Sequence, residues 1–125
     1  PKIIPRFHNE YLYNMRAVAA WLRYRSDDVL FMPQPMVHNL NMGCCFGPML
    51  MSGGTVTIAP NLQAETLISL IAQTRPTWLM LGGPIIARLE SAIAAGSVDL
   101  SGARGVIAAG GARKLRELLG VPVHL

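Results

Sequence analysis

The most constraining feature of the sequence is an alternation. Short apolar runs are followed by Gly- or Pro-containing turns, and these by segments with apolar residues three and four apart. The run Val29–Met32 is continuously apolar and ends at Pro33 and Pro35, which fits a strand buried on both faces. Thr55–Ala59, Thr77–Leu81 and Gly105–Ala109 are further predicted strands. Leu67, Ile68 and Ile71 fall on one face of a helix over Ala64–Gln73, and Ile85, Ile86, Leu89 and Ile93 on one face of another that runs to about Ala95. A helix is also expected at about 40–51 and another over Ala112–Leu119. Before the first strand, Leu12, Met15, Ala19 and Leu22 predict a helix over roughly 9–24, with Asn9 as its cap. The tail, Val121 to Leu125, reads as a last strand. Strands alternating with helices predict an α/β fold in three layers: a mostly parallel sheet with helices on both faces.

Composition narrows the function classes. The chain is 51% hydrophobic and 14% charged, with mean hydropathy +0.35, which excludes a disordered tail or solvated linker. A net charge of +4 admits a nucleic-acid binder, but the basic residues are scattered and aromatics are only 6%. No nucleic-acid partner is expected. The stretch Met36–Gly54 is interrupted by His38, Asn39, Asn41 and Pro48, making it a poor membrane span. Cys44 and Cys45 are adjacent, and no CxxC or Cys/His ligand spacing exists. These features predict a reduced, cytoplasmic protein with no metal site and no membrane partner. The opening at Pro1 and the close on an apparent strand lead us to expect residues 1–125 to be a single α/β subdomain, an incomplete piece of a larger domain.

Parallel sheets of this kind bind ligands beyond the carboxyl ends of their strands. Three segments follow predicted strands directly: Gln34–Asn41, Gly82–Pro84 and Gly110–Arg113. Gly110-Gly111-Ala112 is either a tight strand-to-helix turn or a place where a ligand meets backbone at a helix N-terminus. His38-Asn39 is either a hydrogen-bonded structural pair or a site for a carboxylate or phenolic hydroxyl. A nucleophilic Cys44 or Cys45 has no support beyond the nearness of His38, so both read as small core residues. Arg6 and Arg113 are by default solvated, with phosphate contact the alternative.

Four stretches carry a family likeness that extends over essentially the whole chain. Pro1-Lys2-Ile3-Ile4-Pro5-Arg6-Phe7-His8-Asn9 looks like the end of a phosphate loop that continues as Arg-Thr-His-Asn, with Phe7 departing from the expected Thr. Pro35-Met36-Val37-His38-Asn39 looks like a Pro-x-x-His-Asn acyl-pocket segment. Ser52-Gly53-Gly54-Thr55-Val56 looks like a glycine turn entering a strand. Asp99-Leu100-Ser101 with Ala109-Gly110-Gly111-Ala112-Arg113 looks like a stretch beside adenine and substrate. The chain thus resembles the middle of the large N-terminal domain of adenylate-forming enzymes, the acyl- and aryl-AMP ligases. Within them it is most similar to the siderophore-type ligases for 2,3-dihydroxybenzoate or salicylate, a branch of nonribosomal peptide synthesis.

The resemblance implies an enzyme that activates an aryl carboxylic acid with ATP and Mg2+ to aryl-AMP, then passes the aryl group to the phosphopantetheine thiol of a carrier protein. It implies catalytic roles for Lys2, near the pyrophosphate, and His38, at the mouth of the carboxylate site. Asn39 would bond an ortho-hydroxyl, Cys44 would face carbon 3 of the ring, and Gly110 and Gly111 would wall the substrate. Lys2, Gly111, Ala112 and Arg113 would serve the nucleotide. The Mg2+ ligands, the ribose-binding Asp and a catalytic Lys would lie outside these residues, so the fragment alone would be inactive. A thiol hydrogen-bonds weakly, so Cys44 favours salicylate over 2,3-dihydroxybenzoate. Leu40, Asn41 and Met42 depart from the Tyr/Phe-Pro-Leu that usually follows His-Asn, which leaves a reshaped pocket for another ring open. The rival readings are an acyl- or aryl-CoA ligase and a non-catalytic nucleotide-binding module.

Overall fold

The computed structural model describes residues 3–124. Helix α1 (His8–Leu22) leads into β1 (Val29–Phe31). A π-helical turn, Asn41–Phe46, then runs into α2 (Gly47–Met51). After these come β2 (Thr55–Thr57), α3 (Ala64–Thr74), β3 (Trp78–Gly82), α4 (Gly83–Ala94), β4 (Gly105–Ala109), α5 (Ala112–Leu119) and β5 (Val123–His124). The five strands form one sheet in the order β2-β1-β3-β4-β5, and every pairing is parallel.

This order explains the layers. A right-handed crossover from β1 to β2 runs one way along the sheet, while those from β2 to β3, β3 to β4 and β4 to β5 run the other way. The connecting helices therefore land on opposite faces. Strand side chains alternate to serve both. Leu30, Met32, Trp78, Met80 and Ile107 pack with Leu22, Tyr24, Cys45 and Met49 on the face covered by α1 and α2. Phe31, Leu79, Leu81, Val106 and Ala108 pack with α3, α4 and α5 on the other. All five residues of β3 are buried, as the continuous apolar run requires.

Local chemistry shifts several predicted boundaries. Phe7, not Asn9, caps α1: its backbone is extended (φ −88°, ψ 151°), and its N–H donates to Glu10 Oε2 at 2.8 Å. Glu10 thus supplies one half of a capping box, but a phenyl ring accepts no bond from the first-turn amides. The helix stops two residues before the expected 24, because Arg23 turns left-handed (φ 55°). Strand β2 covers only Thr55–Thr57 of the expected Thr55–Ala59. Helix α4 begins at Gly83, with Pro84 in its first turn, where a missing N–H costs nothing.

The amino ends of three strands are tied by a buried ion pair. Asp28, 2% exposed, accepts two 2.6 Å hydrogen bonds from Arg104 Nη1, one on each carboxylate oxygen. It also accepts 2.7 Å from the Thr77 hydroxyl and 2.8 Å from the Arg25 N–H. Burial pushes the carboxyl pKa up, but the bonds from Arg104, Thr77 and Arg25 outweigh it and hold the group below its ordinary value. Sequence patterning reads Asp28 only as part of a helix break, since its partners lie 49 and 76 residues away.

Candidate functional site

Crossover direction reverses between β1 and β3, and at such a switch point the loops beyond the strand ends splay apart to leave a crevice. A cavity of about 570 Å³ lies there. One wall is the segment after β1, with Gln34, Pro35, Val37, His38 and Leu40; the other is Gly82, Gly83 and Pro84, after β3. The volume is in the range of small-molecule sites, and the lining is mainly apolar, as such sites are.

The β1-side wall is built rigidly. Pro33 is buried and Pro35 follows two residues later, so prolines bracket Gln34. The chain then turns, with the His38 N–H donating to the Pro35 carbonyl at 3.2 Å. Asn41, fully buried, donates from Nδ2 to the same carbonyl at 2.8 Å. Its Oδ1 has no partner among the described residues. The helical segment begins after His38, whose carbonyl accepts from the Met42 N–H at 3.0 Å. The His38 ring accepts at Nδ1 from the Leu40 N–H at 3.3 Å. That bond puts the proton of the neutral ring on Nε2, leaving an Nε2–H donor on an exposed side chain at the cavity wall.

Asn39 and Cys44 line a different, smaller cavity of about 110 Å³ against α1, together with Arg6, Glu10, Tyr11 and Asn14. Asn39 Oδ1 accepts from the Tyr11 hydroxyl at 3.0 Å. Asn14 Nδ2 donates to the Gly43 carbonyl at 2.8 Å. Burial pushes the Cys44 thiol pKa up, and it pushes that of Cys45 up to about 12. Both cysteines are therefore thiols at neutral pH, and the nucleophile reading gains nothing. The structure thus separates His38 from Asn39 and Cys44, on two sides of one helical turn.

Gly110 and Gly111 lie on the same sheet edge as Gly82, because Gly82 pairs with Ala109 in register. Their φ angles are +85° and +70°, so the strand-to-helix turn itself demands glycine at both positions. Ala112 is buried at the start of α5. Arg113 is exposed, with Nε 3.4 Å from Glu117 Oε1. Neither glycine, nor Ala112, nor Arg113 lines either cavity. Lys2 lies outside the described residues. Among the described residues no group of three or more His, Cys, Asp or Glu side chains is placed to hold a metal ion. No helix there is long and apolar enough to cross a membrane.

Comparison with known proteins agrees with this fold. The family profile described as AMP-binding enzyme matches residues 1–119. Pyochelin synthase PchD of Pseudomonas aeruginosa is 36% identical over 115 residues, which are 90% of this chain and 21% of that protein. A salicylyl-CoA synthase / salicylate adenylyltransferase of Streptomyces sp. is 31% identical over 94% of the chain and 22% of its own length. The chain thus spans about a fifth of the length of these curated relatives. Among solved structures, apo MbtA of Mycobacterium smegmatis superposes with TM-score 0.77 at 25% identity, covering 98% of this chain and 23% of that one. An anthranilate CoA ligase, AuaEII, in complex with anthranoyl-AMP superposes at 0.76 with 22% identity, over 96% of this chain and 25% of that one. With the sheet, the switch-point crevice and the family match in agreement, the chain belongs to the AMP-binding enzyme family.

Proposed function

We propose that the chain is the acid-binding and part of the nucleotide-binding portion of a cytoplasmic aryl-AMP ligase, acting as one subdomain of a longer enzyme. The observation that carries this reading is the mainly apolar cavity at the β1/β3 switch point, with an Nε2–H donor from His38 at its wall. A flat aromatic acid matches such a lining, and its carboxylate matches the donor. The carboxylate oxygen attacks the α-phosphorus of ATP, forming the acyl–phosphate bond of aryl-AMP as the bond to pyrophosphate breaks. The protein's part is to orient the acid and meet negative charge. His38 takes the carboxylate, and Lys2 serves the phosphates. Gly111, Ala112 and Arg113 border the nucleotide, at the N-terminus of α5. Mg2+ accompanying ATP is assigned to no residue of this chain.

On the family resemblance Asn39 and Cys44 would read ring substituents; they line the smaller cavity on the other side of the helical turn from His38. The Cys44 thiol leaves a 3-hydroxyl poorly bonded, so salicylate is the favoured acid over 2,3-dihydroxybenzoate. Relatives with salicylate in their names support this choice. The aryl group then passes to the thiol of a carrier protein, an acceptor suggested by a relative named salicyl-AMP ligase / salicyl-S-ArCP synthetase. The name salicylyl-CoA synthase on another relative favours coenzyme A as a second reading. ATP–pyrophosphate exchange by the full-length ligase tests the proposal. Exchange dependent on salicylate, and lost in His38→Ala, is expected. Exchange driven only by aliphatic acids, or indifferent to His38, overturns it.

A further inference from the structure

Two side chains bring hydrogen-bonding groups to the wall of the main cavity, His38 and Gln34; the others are Pro35, Val37, Leu40, Pro84 and two glycines. Gln34 stands in the segment that follows β1, half-buried, and its amide reaches across the crevice to the end of β3. A methyl group placed on Gly82 would collide with Gln34 Nε2, so the glycine leaves the room that the amide occupies. No hydrogen bond of that amide is found among the described residues. Its backbone, in contrast, is held from both sides: Pro33 is buried ahead of it, and the Pro35 carbonyl behind it takes bonds from Asn41 and the His38 N–H. A backbone held in this way thus carries a carboxamide that makes no hydrogen bond among the described residues, at the wall of an apolar cavity. A carboxamide offers one donor atom and one acceptor atom, so it complements a hydroxyl or amino group and is a poor neighbour for bare hydrocarbon.

We propose that Gln34 is a specificity-determining residue of the acid site, selecting an aromatic acid that carries a hydroxyl or amino substituent over an unsubstituted one. This rests on the aryl-AMP ligase reading above. With such a substituent bound, Nε2 donates or Oε1 accepts, and the amide is satisfied. With benzoate bound, the amide loses water and gains no bond, so discrimination falls on binding of the acid.

The test is ATP–pyrophosphate exchange by the full-length enzyme with benzoate, salicylate, anthranilate, and 2,3-, 2,4- and 2,5-dihydroxybenzoate. Wild type is compared with Gln34→Met, which keeps length and removes the amide. A thermal melt of each protein reports folding. Expected is a fall of about tenfold in the kcat/KM ratio of the best substituted acid to benzoate, carried by KM, with the melt unchanged. Gln34→Glu, which keeps the acceptor and adds a charge near the substrate carboxylate, should raise KM for every acid. If Gln34→Met moves the ratio less than twofold, or lowers all acids in parallel, the inference is overturned while the ligase reading stands. If wild type exchanges with no aryl acid, the ligase reading falls and takes the inference with it.

Discussion

Replacing Asp28 by Asn should cost the fold about 3 kcal/mol at pH 7. The carboxylate is 2% exposed and is the common acceptor for Arg104, Thr77 and the Arg25 N–H. Asn keeps the shape and one acceptor oxygen. It removes the charge that Arg104 neutralises and turns a second acceptor into a donor that faces other donors. Breaking a buried pair by removing one partner costs roughly 3–5 kcal/mol. The lower end applies, since the Arg104 side chain is 28% exposed and keeps a 3.1 Å bond to the Arg23 carbonyl. With a urea m-value of roughly 2 kcal/mol/M, the midpoint should fall by about 1.5 M. The pH dependence gives a second check. Asp28 has a folded-state pKa below its ordinary value of 3.8. Its contribution is therefore present above the unfolded pKa and lost as pH falls through the folded one. Urea unfolding of wild type and Asp28→Asn at pH 7, 5, 4 and 3 should show a gap that is full at pH 7 and 5 and narrows below about 4. A gap under about 1 kcal/mol at pH 7, or one that stays constant down to pH 3, would refute the reasoning.

Other substitutions probe local statements. Phe7→Thr supplies the missing side-chain cap of α1 and should stabilise the protein by about 1 kcal/mol, read as a rise of roughly 3–5 °C in Tm; no rise would show that the first-turn amides are already satisfied. In the full-length ligase, Cys44→Ser should improve 2,3-dihydroxybenzoate relative to salicylate by about tenfold in kcat/KM. An unchanged ratio would remove Cys44 from the ring site.

Much of the fold was legible because its signals are local. A continuous apolar run such as Trp78–Leu81 has one good home, a strand covered on both faces, and Leu67 with Ile71 marks one face of α3. The three segments flagged as loops beyond strand ends do share one edge of the sheet. What the sequence hid depends on distance. Asp28 looks like any helix-breaking acid until Thr77 and Arg104 meet it. The π-helical turn at Asn41–Phe46 has no propensity signature; it begins at a buried Asn. In the sequence Gln34 is only the first residue of the segment Gln34–Asn41, and the Gly82 contact across the crevice shows where its amide goes. The family resemblance also implies one acid site for His38, Asn39 and Cys44. Successive helical residues point in different directions, however, and two cavities result.

The most direct measurement is a crystal structure of the full-length protein with a non-hydrolysable aryl-adenylate analogue. The expected result is the aryl group seated between the Gln34–Leu40 segment and Gly82–Pro84, with its acyl end near His38 Nε2 and the nucleotide running along Gly110–Arg113. An analogue bound with its ring away from the β1/β3 crevice would contradict the central claim.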